Sequence, residues 1–381
     1  MTEYDIMMDR RKFLKVSALS AAGLTLADSL TPLAAGSRKP SDKTYSVVLL
    51  GDTHYDTAPD CVYHSGYSDP NPSREAAHRK EFVRNAEMWA ERCPSLVRRA
   101  SRLVREDTRL CLQMGDLIQG DTGSETDHLR FLRDAYCYLK ASLGCLPLVT
   151  VAGNHDLRAA DDSFAVRAYS KFIKERLSPE IGKEIEKTCF SFMVGKDAYI
   201  AIDFTYPDDA EIEKLFSETE GARYTFVIIH GPVFPYQSAK SNNWILHGKD
   251  GNDAMRLHLR ELMAKRHAIV LCGHTHTTEL LDWYGDGGRI TQMTVNSVWH
   301  TPEAGEYKLV AEGAELYGKV SEKPDTPEKV KKLYAEYADG IRRFTFTRSA
   351  GSCLMTVSDK GVTVDFYAGA SENASTRFVL R

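Results

Sequence analysis

One event recurs along this chain and constrains it more than any other feature. A short apolar run, rich in strand-forming residues, stops at a side chain that offers an oxygen or nitrogen donor. "YSVVLLGDTH" ends at Asp52 and His54, "LCLQMGD" at Asp116, and "LPLVTVAGNHD" at Asn154, His155 and Asp156. "YTFVIIHGP" ends at His230, and "AIVLCGHTH" at His274 and His276. A continuous apolar run of this length is the pattern of a strand buried on both faces. The intervening segments place apolar residues at helical intervals. They are "PSREAAHRKEFVRNAEMWAERCPSLVRRASRLVRED", broken or restarted at Pro94, then "TDHLRFLRDAYCYLKASLG", "DSFAVRAYSKFIKERLSPE" and "DAMRLHLRELMAKRHA". Strands alternating with helices predict an α/β layered fold. In such sheets sites form beyond the carboxyl ends of the strands, where all of these polar clusters lie.

The tail reads differently. "GRITQMTVNSVWH" and "SCLMTVSDKGVTVDFYAG" predict strands, the second a hairpin turning at "SDKG". A polar helix is expected between them in "DTPEKVKKLYAEYADGIRRF". No internal repeat or composition break divides the chain, so one domain over 37–381 with a β-rich C-terminal end is expected. The net charge of -4 gives no bulk attraction to nucleic acid, and no nucleic acid partner is indicated. Nothing after residue 36 is apolar for long enough to span a bilayer, so no transmembrane domain is expected in the mature chain.

The first 36 residues have the layout of an export signal: a basic start, an apolar stretch from Val16 to Leu26, then small residues. Arg10-Arg11 followed by Lys12-Phe13-Leu14-Lys15 resembles the twin-arginine motif, with Asp9 in place of the leading Ser or Thr. That resemblance implies the twin-arginine export machinery as a partner, a folded cargo and a periplasmic or otherwise exported location. A cut near Gly36 is expected; a retained signal would leave the protein membrane-tethered. The eight cysteines show no C-x-x-C pair and no zinc-finger spacing. Cys111 and Cys272 fall inside apolar runs and read as buried thiols.

Taken together the clusters are Asp52-x-His54, Gly115-Asp116, Gly153-Asn154-His155-Asp156, His230 and Gly273-His274-Thr275-His276. The ordered set resembles the calcineurin-like metallophosphoesterase superfamily, from about Val47 to the strand near Val298. The resemblance implies a layered β-sandwich flanked by helices and a phosphoester hydrolase with two divalent metal ions, Mn, Fe, Zn or Co. It implies that Asp52, His54 and His276 hold one ion, that Asn154, His230 and His274 hold the other, and that Asp116 bridges them. The spacing of the two histidines in Gly273-His274-Thr275-His276 then serves two different ions. The nucleophile implied is a metal-bridging hydroxide. His155 is implied to stabilise the phosphate and protonate the leaving oxygen, and Asp156 to orient it through the other ring nitrogen. The alternatives are a phosphomonoesterase of the same fold and a metal-binding, non-catalytic scaffold protein.

Departures narrow the branch. "GDLIQG" lacks the arginine of the protein Ser/Thr phosphatases, and Gln119 stands where purple acid phosphatases carry a tyrosine. Little more than 100 residues follow Gly273, too few for the large C-terminal domain of the 5'-nucleotidases. The set looks most like the branch of cyclic nucleotide and glycerophospho-diesterases, so a phosphodiester substrate is expected. Two inserts flank the site. His64, Arg74 and His78 in the first read chiefly as a solvated loop leading to a helix. In the second, Trp244 either stacks on substrate or pins the loop, and His247 is a candidate substrate contact. His300 would be surplus to a complete ligand set.

Overall fold

The computed structural model describes residues 44–56, 62–236, 253–298, 301–319 and 327–381, within a compact unit running from Asp42 to Arg381. The signal segment, Cys61, Trp244, His247 and His300 lie outside the described residues.

The chain builds two mixed sheets. The first is ordered β14-β13-β12-β1-β2-β3, with β1 at Thr44–Leu50, β2 at Thr108–Gln113 and β3 at Leu148–Thr150. Its other half is β12 (Gly351–Ser358), β13 (Gly361–Ala368) and β14 (Thr376–Val379). β1, β2 and β3 run parallel, while β12 pairs antiparallel with β1. The second sheet is ordered β10-β11-β8-β9-β7-β6-β5-β4. Its members are β4 (Phe190–Val194), β5 (Asp197–Ile202), β6 (Thr225–Ile229), β7 (Ile269–Cys272), β8 (Thr278–Gly285), β9 (Gly288–Thr294), β10 (Leu309–Glu312) and β11 (Ile341–Thr347).

The double-sided burial read from the apolar runs has a simple cause. Phe226, Ile228, Ile269 and Leu271 join a core shared with Val47, Leu49 and Leu112 of the first sheet. Their neighbours Val227, Ile229, Val270 and Cys272 face a second core on the other side of the second sheet. Alternation along a strand sends successive side chains to opposite faces, so apolar cores on both faces require an uninterrupted apolar run.

Helices flank the sheets: α1 (Pro72–Glu91), α2 (Cys93–Arg102), α3 (Glu125–Leu143), α4 (Asp162–Phe172), α5 (Ser178–Ile181), α6 (Asp209–Glu218), α7 (Asp253–Lys265) and α8 (Glu328–Ala338). Asn71 caps α1 by accepting from Ser73 N and Arg74 N, with Pro72 in the first turn. The chain restarts as α2 with Pro94 in its opening turn, where a missing N–H costs nothing. Ser124 caps α3, which closes at Gly144. The C-terminal hairpin turns where expected, but it is no appendage, because β12 lies directly beside β1 in the centre of the first sheet. Strands β4, β5, β8, β10, β11 and β14 have no counterpart in the expectations, and the expected polar helix closes at Ala338, because the chain from Ile341 enters β11 instead. No helix among the described residues is long and apolar enough to cross a membrane. The seven described cysteines are free thiols, with Cys111 and Cys272 fully buried.

Candidate metal centre

The carboxyl ends of β1, β2 and β3 in one sheet and of β6 and β7 in the other meet at one site. Two groups of donors form there. In the first, His276 Nε2 lies 3.0 Å from Asp52 Oδ2 and 3.0 Å from His54 Nε2. In the second, His230 Nε2 lies 3.1 Å from Asp116 Oδ2, 3.2 Å from Asn154 Oδ1 and 3.1 Å from His274 Nδ1. Asp116 Oδ2 also lies 3.6 Å from His54 Nε2, so this carboxylate stands between the groups.

These spacings test whether the residues fit a pair of metal ions. Donors about 2.1 Å from one ion, at right angles, stand roughly 3 Å from each other. Facing imidazole nitrogens at that distance hold at most one proton between them, whereas a cation satisfies both. His54 Nδ1 is buried with no hydrogen-bond partner. The set of imidazoles, carboxylates and an amide oxygen suits borderline divalent cations. The residues fit the group.

Local structure holds these side chains under strain. His54, Asp116, His274 and His276 all have positive φ, between 42° and 66°. Side chains other than glycine seldom adopt this region, and each such residue costs about 1–3 kcal/mol unless its surroundings hold it there. Here they do: Thr53 N and His54 N both donate to Asp116 O, at 3.0 and 2.9 Å. Trp89 of α1 donates its indole N–H to the carbonyls of Thr53 and His54. His274 N donates to Asp52 Oδ1 at 2.8 Å, and a Cβ at Gly273 would stand only 2.2 Å from that same oxygen. His230 Nδ1–H donates to Met114 O at 2.7 Å, which fixes the tautomer and leaves Nε2 for the site.

The electrostatics follow from burial and close charges. Burial pushes the Asp52 carboxyl up, but hydrogen bonds from His276 and His54 hold it well below its ordinary value. Asp116 is likewise driven up by burial and pulled down further by the charges of His230 and His155. His230 is lowered by burial but raised more strongly by Asp116, to about 9. Burial and the His230 charge push His274 down to about 3.

His155 sits beside the site, its ring 4.4 Å centroid to centroid from that of His54. Its Nδ1–H donates to Gln119 O at 2.8 Å, leaving Nε2 as the ring atom that can meet a substrate. Burial and the charge of Arg158 hold it well below the ordinary histidine value, a neutral imidazole. Asp156 differs from its expected role. Its carboxylate does not orient His155; Oδ1 accepts from Ile118 N at 3.1 Å and Oδ2 from Gly153 N at 3.0 Å. The two side chains reach different backbone groups of the same turn after β2, His155 the Gln119 carbonyl and Asp156 the Ile118 N–H. Burial and the Asp116 charge push the Asp156 carboxyl up to about 7, against the pull of backbone donors at Gly153, Ile118 and Leu117.

The first insert folds inward. His64 is buried, stacked on Phe82 at 3.8 Å, with Nε2 2.9 Å from Asp56 Oδ2 and Nδ1 2.9 Å from Asp121 O. It is a structural pin, while Arg74 points outward and pairs with Asp69. His78 takes a place near the site, 3.2 Å from Asp121 Oδ1. Gln119 directs its side chain to Asn85 and Glu81 rather than to the metal donors. Arg158 joins Asp121 and Glu81 in an ion-pair network beside His155. No motif flags this network; its only sequence signal is that Arg158 follows "GNHDL" directly.

A model of the calcineurin-like phosphoesterase family matches residues 45–278. The chain belongs to this family. It is therefore a metal-dependent phosphoester hydrolase, with a candidate metal site of histidines and aspartates. Among solved structures, PhoD is similar over 88% of this chain and 68% of its own, at 10% identity and a TM-score of 0.50, a likeness of fold. GAP50, the anchor in the inner membrane complex of Plasmodium, is similar over 89% of each chain, at 14% identity and a TM-score of 0.44. No curated protein matches the sequence.

Proposed function

We propose that this family member is an exported two-metal hydrolase of phosphodiesters. The observation that carries the two-metal reading is the pair of donor groups meeting at Asp116, one with Asp52, His54 and His276, the other with His230, His274 and Asn154. Two divalent cations held there would neutralise phosphate charge and lower the pKa of a water. Asp116, within reach of both groups, would be shared between them. His155, its Nδ1–H fixed on the Gln119 carbonyl, presents Nε2 to the substrate. An anionic phosphoester beside that neutral ring favours its protonation, so His155 can hold a proton at Nε2 for the leaving oxygen.

Preference for a diester has support in the surroundings of His155. Arg158, the cation with most influence on that ring, is committed to Asp121 and Glu81. A monoester's second negative charge would meet this closed ion-pair network rather than an available guanidinium. Export and residence in the periplasm rest on Arg10-Arg11 and the apolar stretch behind them, with the mature enzyme beginning near Ser37.

The test uses the mature chain reconstituted with Mn²⁺ and compares bis-p-nitrophenyl phosphate with p-nitrophenyl phosphate. Faster turnover of the diester is expected. His155→Ala should lose roughly 10²–10⁴-fold in kcat while still binding two ions, and Asp116→Ala should lose both turnover and the second ion. Two bound ions without turnover of either ester would favour the non-catalytic scaffold. A higher kcat/KM for the monoester would overturn the diester assignment.

A further inference from the structure

The structure assigns Gln113, the last residue of β2, a positioning role at the metal centre: its buried amide sets the spacing between the turns that carry Asp52 and Asp116. This rests on the two-metal reading above. Gln113 is fully buried, and its amide saturates its hydrogen-bonding capacity on three neighbouring strand ends. Nε2 donates to Gly51 O at 3.1 Å and to Gly115 O at 2.7 Å. Oε1 accepts from Gly115 N at 3.1 Å and from the Thr150 hydroxyl. Gly51 precedes Asp52, Gly115 precedes Asp116, and Thr150 ends β3, on the approach to Asn154.

The arrangement is specific to this amide. Two carbonyls face Nε2 and two donors face Oε1, so the group has one orientation and no isosteric substitute. A carboxylate has no hydrogen to give Gly51 O or Gly115 O, and an aliphatic chain leaves both carbonyls and Gly115 N unpartnered inside the protein. Gly115 is held through both its N–H and its carbonyl, with φ at 85°, directly before Asp116 at φ 51°. The strained Asp116 backbone is therefore anchored from below by Gln113. From above, Thr53 N and His54 N fasten its carbonyl. Releasing the lower anchor lets the turn relax toward ordinary φ, which draws the Asp116 carboxylate away from one donor group. The sequence gives no hint of this, since a glutamine inside "LCLQMGD" reads as one polar interruption in a strand.

The test is metal binding and Mn²⁺ electron paramagnetic resonance on the mature chain, comparing wild type with Gln113→Leu. In the wild type, two equivalents of Mn²⁺ should give the exchange-coupled spectrum of a carboxylate-bridged pair. In Gln113→Leu, the second equivalent should bind roughly tenfold or more weakly, and the coupled signal should give way to that of isolated ions. Thr150→Val, which removes one donor to Oε1 and keeps the amide, should move in the same direction by less; it also serves if Gln113→Leu does not fold. A folded Gln113→Leu with wild-type affinity and an intact coupled spectrum overturns the positioning role. So does an unchanged Thr150→Val when Gln113→Leu fails to fold. A wild type that never shows the coupled pair overturns the two-metal reading instead, which separates the two failures.

Discussion

Asp156 and His155 are adjacent in the chain, yet they bond different backbone groups of the turn after β2, and the difference has a measurable consequence. The Asp156 carboxylate accepts from Gly153 N and Ile118 N, fastening the turn of Asn154 to that of Asp116. Asparagine keeps one oxygen and turns an N–H₂ toward the other backbone donor. Asp156→Asn is therefore expected to cost about 1–3 kcal/mol in urea unfolding and to weaken metal binding. Had the carboxylate oriented His155, the variant would lose kcat with stability and metal affinity intact; that result would contradict the assignment. The seven sequence-expected ligands are brought together because each motif ends a strand. The role of Asp156 was not legible, because its direction depends on a turn.

Among the elements, α3 carries the clearest pH-dependent feature. His128 is buried on this helix, with Nε2 2.7 Å from Asp156 O and Nδ1 2.9 Å from Thr122 Oγ1. Burial pushes it from 6.5 down to about 4, although the Asp156 carbonyl pulls the other way. The unfolded chain takes up a proton at this residue below pH 6.5, while the folded chain resists until about pH 4. The unfolded state binds more protons in that window, so the contribution is intact above pH 6.5 and falls away as the pH drops toward 4. The loss from this residue is on the order of 3 kcal/mol. Denaturant titrations between pH 7 and pH 4 should show a steeper decline for wild type than for His128→Gln, which keeps a donor for Asp156 O and does not titrate. Parallel curves would rule out the buried neutral histidine. The long helices and the hairpin at "SDKG" were readable from periodicity and turn residues. β8 was not, because "TELLDWYG" mixes charge with apolar residues and is buried only through its neighbours β9 and β11.

For the whole molecule, the metal centre is also a joint between sheets. Asp52, His54, Asp116 and Asn154 follow strands of the first sheet; His230, His274 and His276 follow strands of the second. Ions held by these residues would join the sheets at one end of their shared core. Chelation should lower Tm, and added Mn²⁺ should restore it in a saturable way, with about 4 kcal/mol of stabilisation expected at a thousand times the dissociation constant. Scanning calorimetry at several metal concentrations checks this, and a Tm indifferent to chelator and metal would contradict it.

The sequence by itself determined the alternation of buried strands and helices, the residues at the strand ends, and through them the family and its reaction class. Those properties are local: a strand buried on two faces must be apolar throughout, and a metal donor must be one of a few residue types. Only the tertiary structure decided that β12 lies beside β1, that the donors divide between two sheets, and that Asp156, Gln113 and Trp89 hydrogen-bond the backbone of the turns. Each of those depends on contacts between residues far apart in the chain. A buried amide or carboxylate finds its partners where packing leaves backbone groups unpaired, and no short stretch of sequence contains that information.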